Sequence, residues 1–190
     1  MNKFLYSIVF TFLISSCMDD EFLIPKPTAN LRIEFPEHEY TRHIDDCPYS
    51  FELASYMTSV PASSENPCHK DISLGDFNGL LHLSYIKMDT SIAAYINYSI
   101  QKVEEHIVKA SAIEDSNIVL NETRVFGTFF ELQGNAASPF QFYYTDSVTH
   151  FIRGAVYFNA KPNYDSIYPV LNYVKKDLIH LIKTTRWEGL

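Results

Sequence analysis

Phe140-Gln141-Phe142-Tyr143-Tyr144-Thr145 and Phe151-Ile152-Arg153-Gly154-Ala155-Val156-Tyr157-Phe158-Asn159 are two runs rich in aromatic and β-branched residues, joined by Asp146-Ser147-Val148-Thr149. Rings and branched side chains fit a half-buried pleated surface, so the runs read as strands and the polar link as a hairpin connection. Ala112–Leu120 and Arg124–Leu132 read as two further strands just before them. Upstream, Asp89, Thr90 and Ser91 supply an N-cap. Ile92, Ile96, Ile100, Val103 and Ile107 then recur at helical spacing, which predicts an amphipathic helix over 91–110. Downstream, Asp165-Ser166 is expected to cap a last helix, with Pro169 in its first turn and Val170, Val174, Leu178 and Leu181 as its buried stripe. A short tail, Thr184–Leu190, carries the lone Trp187. Toward the N-terminus, Leu80–Met88 is a strong strand after an Asp76–Gly79 turn, and His69–Leu74 a weaker one. Tyr49–Leu53 and Tyr56–Val60 read as one strand or a hairpin. Leu31–Phe35 alternates apolar and charged residues and is expected to be a first strand stopped by Pro36. Consecutive strands imply antiparallel pairing. The expected fold is therefore α+β: one domain over 31–190, a mainly antiparallel sheet packed by two amphipathic helices.

Composition supports a globular chain and narrows its chemistry. Of 190 residues, 46% are hydrophobic and 20% charged. A net charge of −8 argues against nucleic-acid binding, which draws on clustered Lys and Arg. Three Cys are too few for a structural zinc site or a disulfide-dense miniprotein. Six Gly, none in a phosphate-cradling pattern, argue against nucleotide folds.

The N-terminus reads as an address. Met1-Asn2-Lys3 precedes an apolar run, Phe4–Ile14, of about eleven residues where a membrane span needs about 20. Residues 1–16 therefore read as a signal peptide. Its end, Leu13-Ile14-Ser15-Ser16-Cys17, resembles the bacterial lipoprotein box, which implies cleavage before Cys17 and lipid on Cys17; ordinary secretion is the alternative. Residues 17–30 are then the lipidated Cys and a tether, stiffened at Pro25-Lys26-Pro27. Cleavage removes one of the 15 basic residues and none of the 23 acidic ones, taking the net charge from −8 to −9. An exported chain meets oxidising conditions, so Cys47 and Cys68 are expected to pair. The 22-residue loop they close is worth about 3 kcal/mol in loop entropy.

Candidate chemistry is sparse. Seven His include no HExxH pattern. His38 and His43, near Glu37, Glu39, Asp45 and Asp46, offer a weak divalent-metal patch against the simpler reading of a solvated loop. Asp146, Ser147 and His150 are the three residue types of a hydrolase triad but crowd one turn, where turn chemistry explains Asp and Ser. Gly134-Asn135-Ala136-Ala137-Ser138-Pro139 is a stretch of small residues between aromatic strands. It reads either as a tight connection or, with Arg153 as a neighbour, as a partner-binding surface. Nothing in the sequence calls for a cofactor or a metal.

Cys17 in its lipobox, Pro25-Lys26-Pro27, Cys47-Pro48-Tyr49-Ser50-Phe51 with Cys68, Leu81-His82-Leu83-Ser84-Tyr85, and the long block Gly134–Ser147 resemble the gliding-motility lipoprotein GldD family of Bacteroidota. The resemblance continues through Phe151–Asn163 and Pro169-Val170-Leu171-Asn172-Tyr173. It departs at His69-Lys70, where the family more usually has an aromatic residue after the second Cys. The order of elements is similar to that of Mog1/PsbP-like α/β/α sandwiches. The resemblance implies a non-enzymatic envelope lipoprotein needed for gliding. Its expected partners are other gliding-motility lipoproteins or type IX secretion components. Met18, in place of an Asp after Cys17, makes the outer membrane the default, and the periplasmic face is the expected one. The acidic run Asp19-Asp20-Glu21 resembles a surface-export signal, so the cell surface stays an alternative, as does the inner membrane. An envelope hydrolase or small-ligand-binding lipoprotein is the competing expectation.

Overall fold

The aromatic hairpin forms the middle of a seven-stranded sheet. The computed structural model describes residues 33–159 and 164–188, all within one unit, Ile33–Leu190. The strands are β1 Tyr40–His43, β2 Tyr49–Ala54, β3 Thr58–Pro61, β4 Lys70–Ser73, β5 Gly79–Lys87, β6 Ala110–Leu120, β7 Val125–Gly134, β8 Phe140–Thr145, β9 His150–Phe158 and β10 Arg186–Trp187. Helix α1, Ile92–Glu104, precedes β6, and helix α2, Tyr164–Thr184, follows β9. The large sheet has the order β3-β4-β5-β9-β8-β7-β6, and a smaller one the order β1-β2-β10. Every pair is antiparallel. The fold is α+β, as the run of strands predicts.

The period of two along each strand sorts the side chains into layers. Phe140, Phe142 and Tyr144 of β8 lie opposite Val156, Gly154 and Ile152 of β9, and all six face one side. A Cβ on Gly154 would sit 2.1 Å from the Phe142 ring, so only glycine lets that ring lie flat across β9. Val174, Leu178 and Leu181 of α2 cover this face, together with Tyr49, Phe51 and Leu53 of β2. On the opposite face Tyr95 of α1 packs on Phe151 at 5.5 Å between ring centroids. Val103 packs there with Leu132 and Ala136. The sheet therefore lies between α2 with the small sheet on one side and α1 on the other.

Several expectations need correction. No strand forms over residues 33–35, the described part of the Leu31–Phe35 reading; the first strand is β1. Phe35 instead stacks on Tyr173 of α2 at 4.7 Å, and the Tyr173 hydroxyl donates to the Pro36 carbonyl at 2.7 Å, so the segment is a strap along a helix. β2 and β3 do not pair but enter different sheets. The 91–110 helix ends at Glu104, followed by a short 3-10 turn, Ile107–Lys109. Its buried stripe runs through Ser99 and Val103, whereas Ile100 and Ile107 are exposed. The reason is that α1 touches the sheet along one narrow line, and the 3-10 turn rotates Ile107 off it. The last helix starts at Tyr164, so Asp165 and Ser166 lie in its first turn instead of capping it, and Pro169 sits inside the helix.

Candidate functional site

The small-residue loop closes the hairpin between β7 and β8. Gly134 has φ +92°, and a Cβ there would meet the Ser111 amide at 2.8 Å, so glycine lets β7 end against the start of β6. Ala136 is buried under α1 beside Val103 and Leu132. Ser138 is fully buried and its hydroxyl donates to the Phe140 carbonyl at 3.2 Å. Pro139 is buried, and its carbonyl accepts the Leu132 amide at 2.8 Å. Asn135 and Ala137 are exposed. Asn135 Oδ1 accepts the Tyr164 amide at 3.4 Å, meeting one unpaired donor at the start of α2. Dense packing thus explains most of the small residues, and only Asn135 and Ala137 remain available to a partner. Arg153 lies two strands in, half-buried, donating to Gln141 Oε1 at 2.6 Å. Burial holds the nearby His106 imidazole below its usual range; Glu105 opposes this and the Arg153 charge reinforces it. The loop leads into β8, whose Gln141 accepts from Arg153 of β9.

The densest convergence of polar groups belongs to a residue that the sequence reading passes over. Asp177 of α2 is 1% exposed. Its Oδ1 accepts the Tyr40 hydroxyl at 2.8 Å and lies 2.7 Å from His38 Nδ1; its Oδ2 accepts the Tyr56 hydroxyl at 2.6 Å. Burial, then the hydrogen bond to this carboxylate, pushes both phenols well above their ordinary range. His38 also stacks on Tyr173 at 4.4 Å. Four aromatic groups and one acid therefore bind the segment leading into β1, and the turn after β2, to α2. The signal was present: Asp177 falls on the Val170–Val174–Leu178–Leu181 stripe, where a charge must find partners.

The other candidates resolve into structural roles. Asp146 Oδ1 accepts the amides of Val148 at 3.0 Å, Thr149 at 2.8 Å and His150 at 2.8 Å. Burial alone would raise its carboxyl; these amides win and hold it below the usual range. Ser147 is exposed with φ +69°. His150 points elsewhere, Nδ1 lying 2.9 Å from the Tyr85 hydroxyl and the ring stacking on Trp187 at 5.2 Å. Burial lowers its imidazole. Asp146, Ser147 and His150 are thus neighbours in sequence that serve a turn and a core. Cys47 and Cys68 form a disulfide with Cα atoms 5.5 Å apart. Beside it, buried Lys70 pairs with Asp45, and the Tyr49 hydroxyl donates to the Cys68 carbonyl at 2.6 Å. His43 stacks on Phe51 and lies 3.5 Å from Asp45, whereas His38 meets Asp177. Among the described residues no group of three or more His, Cys, Asp or Glu is placed to hold a metal ion. Cys17 lies outside the described residues.

An apolar concave surface lies on the other side of the sheet from α1. A groove of about 260 Å³ runs between β6 and α2, floored by Ile118, Leu120, Phe129, Ile179 and Ile182, with Lys175 and Lys183 at its rim.

The family model for the gliding motility lipoprotein GldD matches residues 20–187. The chain belongs to the GldD family. As a GldD-family member it is a gliding-motility lipoprotein, held in the cell envelope by its lipid. Among the described residues no helix is long and apolar enough to cross a membrane. No curated protein matches the chain. A similar solved structure is the solution structure of cyanobacterial PsbP (CyanoP) from Synechocystis sp. PCC 6803. It has a TM-score of 0.42 and 8% identity, and the match covers 78% of this chain and 96% of that one.

Proposed function

We propose that this GldD-family chain is a non-catalytic component or assembly factor of the gliding and type IX secretion apparatus, acting through protein contacts. The family match over residues 20–187 carries the reading. Its support in the structure is that the triad-type acid and imidazole, Asp146 and His150, serve a turn and a core. Asp146 holds a turn with three amides, and His150 is held by Tyr85 and Trp187. The protein would sit on the periplasmic face of the outer membrane, anchored at Cys17. Partners are other gliding-motility lipoproteins or type IX secretion components. Asn135 and Ala137 of the Gly134–Pro139 loop supply the exposed contact, and Arg153 stiffens the strand pair behind it.

Two experiments test this. Deleting the gene and scoring colony spreading and type IX cargo export in parallel separates a direct motility role from failed secretion. Replacing Asn135 and Arg153 by Ala should abolish spreading while the protein stays folded and abundant. Normal spreading by that variant would sink the contact surface.

A further inference from the structure

We propose that Arg153 is a docking point for a partner protein and receives the carboxylate of an Asp or Glu side chain on that partner. This deepens the contact-protein reading above and rests on it.

Partly buried cations in this chain are paired, with one exception. Among the described residues Arg42, Lys70, Lys102, Arg153 and Lys175 are the Lys and Arg side chains that are at least partly buried. Arg42 pairs with Glu52, Lys70 with Asp45, Lys102 with Glu105 and Lys175 with Glu131. Arg153, half-buried like three of these, pairs with no acid among the described residues. Its side chain instead donates to a neutral amide, Gln141 Oε1, at 2.6 Å. A charge drawn out of water ordinarily takes a counter-charge with it, because its lost hydration is otherwise not replaced.

The register shows that the sheet supplies none. Arg153 lies opposite Ser84 of β5 and Tyr143 of β8. The next side chains on that face are His82 and Ile86 of β5 and Gln141 and Thr145 of β8. None is acidic. The groups that reach it from α1 and the turn after it carry nitrogen. Glu105 holds the Lys102 ammonium above its ordinary range, and the Arg153 charge works against it. Burial lowers the His106 imidazole, and the Arg153 charge adds to that. Glu105 is taken by Lys102, and Asp71 by His82 at 2.6 Å. The result is an uncompensated positive corner on a chain of net charge −8.

The corner suits a protein carboxylate. A guanidinium presents its N–H donors as a planar fork that matches the two oxygens of a carboxylate. Gln141, 0% exposed, holds that fork in place, so less side-chain freedom is lost when an acid arrives. Arg153 lies about 16 Å along β9 from Phe158, away from the end of the sheet, and α1 stands on the same face. A flat lipid surface does not reach a cation set beside a helix in the middle of a sheet. A protruding Asp or Glu side chain does.

Two measurements test this. In cell envelopes, Arg153→Lys keeps the charge and puts a primary amine at the site, and a water-soluble carbodiimide joins that amine to a carboxylate in contact with it. The expected product, mapped by peptide mass spectrometry, links position 153 to an Asp or Glu of another protein. No link, or a link only to an acid of the same chain, of a second copy or of a lipid headgroup, overturns the proposal. The second measurement needs no substitution in the chain being titrated. The full mature lipoprotein in maltoside micelles is titrated with acetyl-Gly-Glu-Gly-amide and with its Gln counterpart, following the Arg153 Nε–H signal by NMR. The Glu peptide should bind at least about tenfold tighter, the difference made by one charge-assisted pair. Equal affinities, as expected if Arg153 only braces β8 against β9, or tighter binding by dimethyl phosphate, overturn it. Equal affinities alongside lost spreading on gene deletion remove the docking point and leave the motility reading standing.

Discussion

Replacing Asp177 by Ala removes the acceptor for three groups at once. His38, Tyr40 and Tyr56 each lose a hydrogen bond to a carboxylate that is 1% exposed. The net worth of one such bond is about 1 kcal/mol, after exchange with water and the cost of burying the charge. Three of them come to about 3 kcal/mol. With a urea slope of about 2 kcal/mol/M for a domain of this size, the midpoint should fall by about 1.5 M. Asp177→Asn keeps one acceptor oxygen but turns an amide toward the third donor, so its loss should lie near about 1.5 kcal/mol. Tyr56→Phe alone should cost about 1 kcal/mol. The decisive measurement is the double variant. In the Asp177→Ala background the Tyr56 hydroxyl has no partner left, so Tyr56→Phe should then cost almost nothing, a coupling of about 1 kcal/mol. Urea unfolding followed by far-UV circular dichroism reads all four midpoints. A loss below about 0.5 kcal/mol for Asp177→Ala, as at an ordinary surface site, or strict additivity of the pair, refutes the reasoning.

Two further outcomes are expected. The double variant Cys47→Ser, Cys68→Ser, or reduction of the native chain, should cost about 3 kcal/mol from the loop released. Thermal melts with and without reductant check it, and coincident melts would deny the clamp any role. Stability should be highest between about pH 6.5 and pH 10, the ordinary values for His and Tyr. His106 and His150 are held below the usual range by burial, so the unfolded chain takes up protons first and stability falls as pH drops below about 6.5. Asp146 and Asp45 are also held low, by backbone amides and by Lys70 with the Cys47 amide respectively, against the opposing effect of burial. Their share is lost below about pH 4. Tyr40 and Tyr56 are raised, so their share is lost above about pH 10. Urea midpoints across this range that stay level down to pH 5 contradict the burial of the two imidazoles.

Much of the fold was legible because its signals are local. Phe140–Thr145 is predicted with both its ends, since rings in a short run bounded by Pro139 and Asp146 leave little other choice. The Cys47–Cys68 bond followed from export and from there being no other partner. The failures have a common form. Leu31–Phe35 alternates like a strand, yet Phe35 stacks on Tyr173 of α2 instead of joining a sheet. The isoleucines of 91–110 form one stripe in sequence, but the helix buries Ser99 and leaves Ile100 outside. For the candidate site, the loop Gly134–Pro139 was visible as a run of small residues, while its burial under α1 was not.

By itself the sequence determined the α+β class, the positions of most strands and both helices, and the family. Each of these depends on residues within a few positions of one another, where periodicity, capping and turn chemistry act. Only the tertiary structure decided that Asp177 gathers His38, Tyr40 and Tyr56, which lie more than 120 residues away along the chain. It alone decided that the Asp146 carboxylate and the His150 ring take different partners, and that among the described residues β6 ends the large sheet beside an apolar groove. Those facts depend on which elements become neighbours in space, and a one-dimensional pattern of hydrophobicity carries no record of that choice.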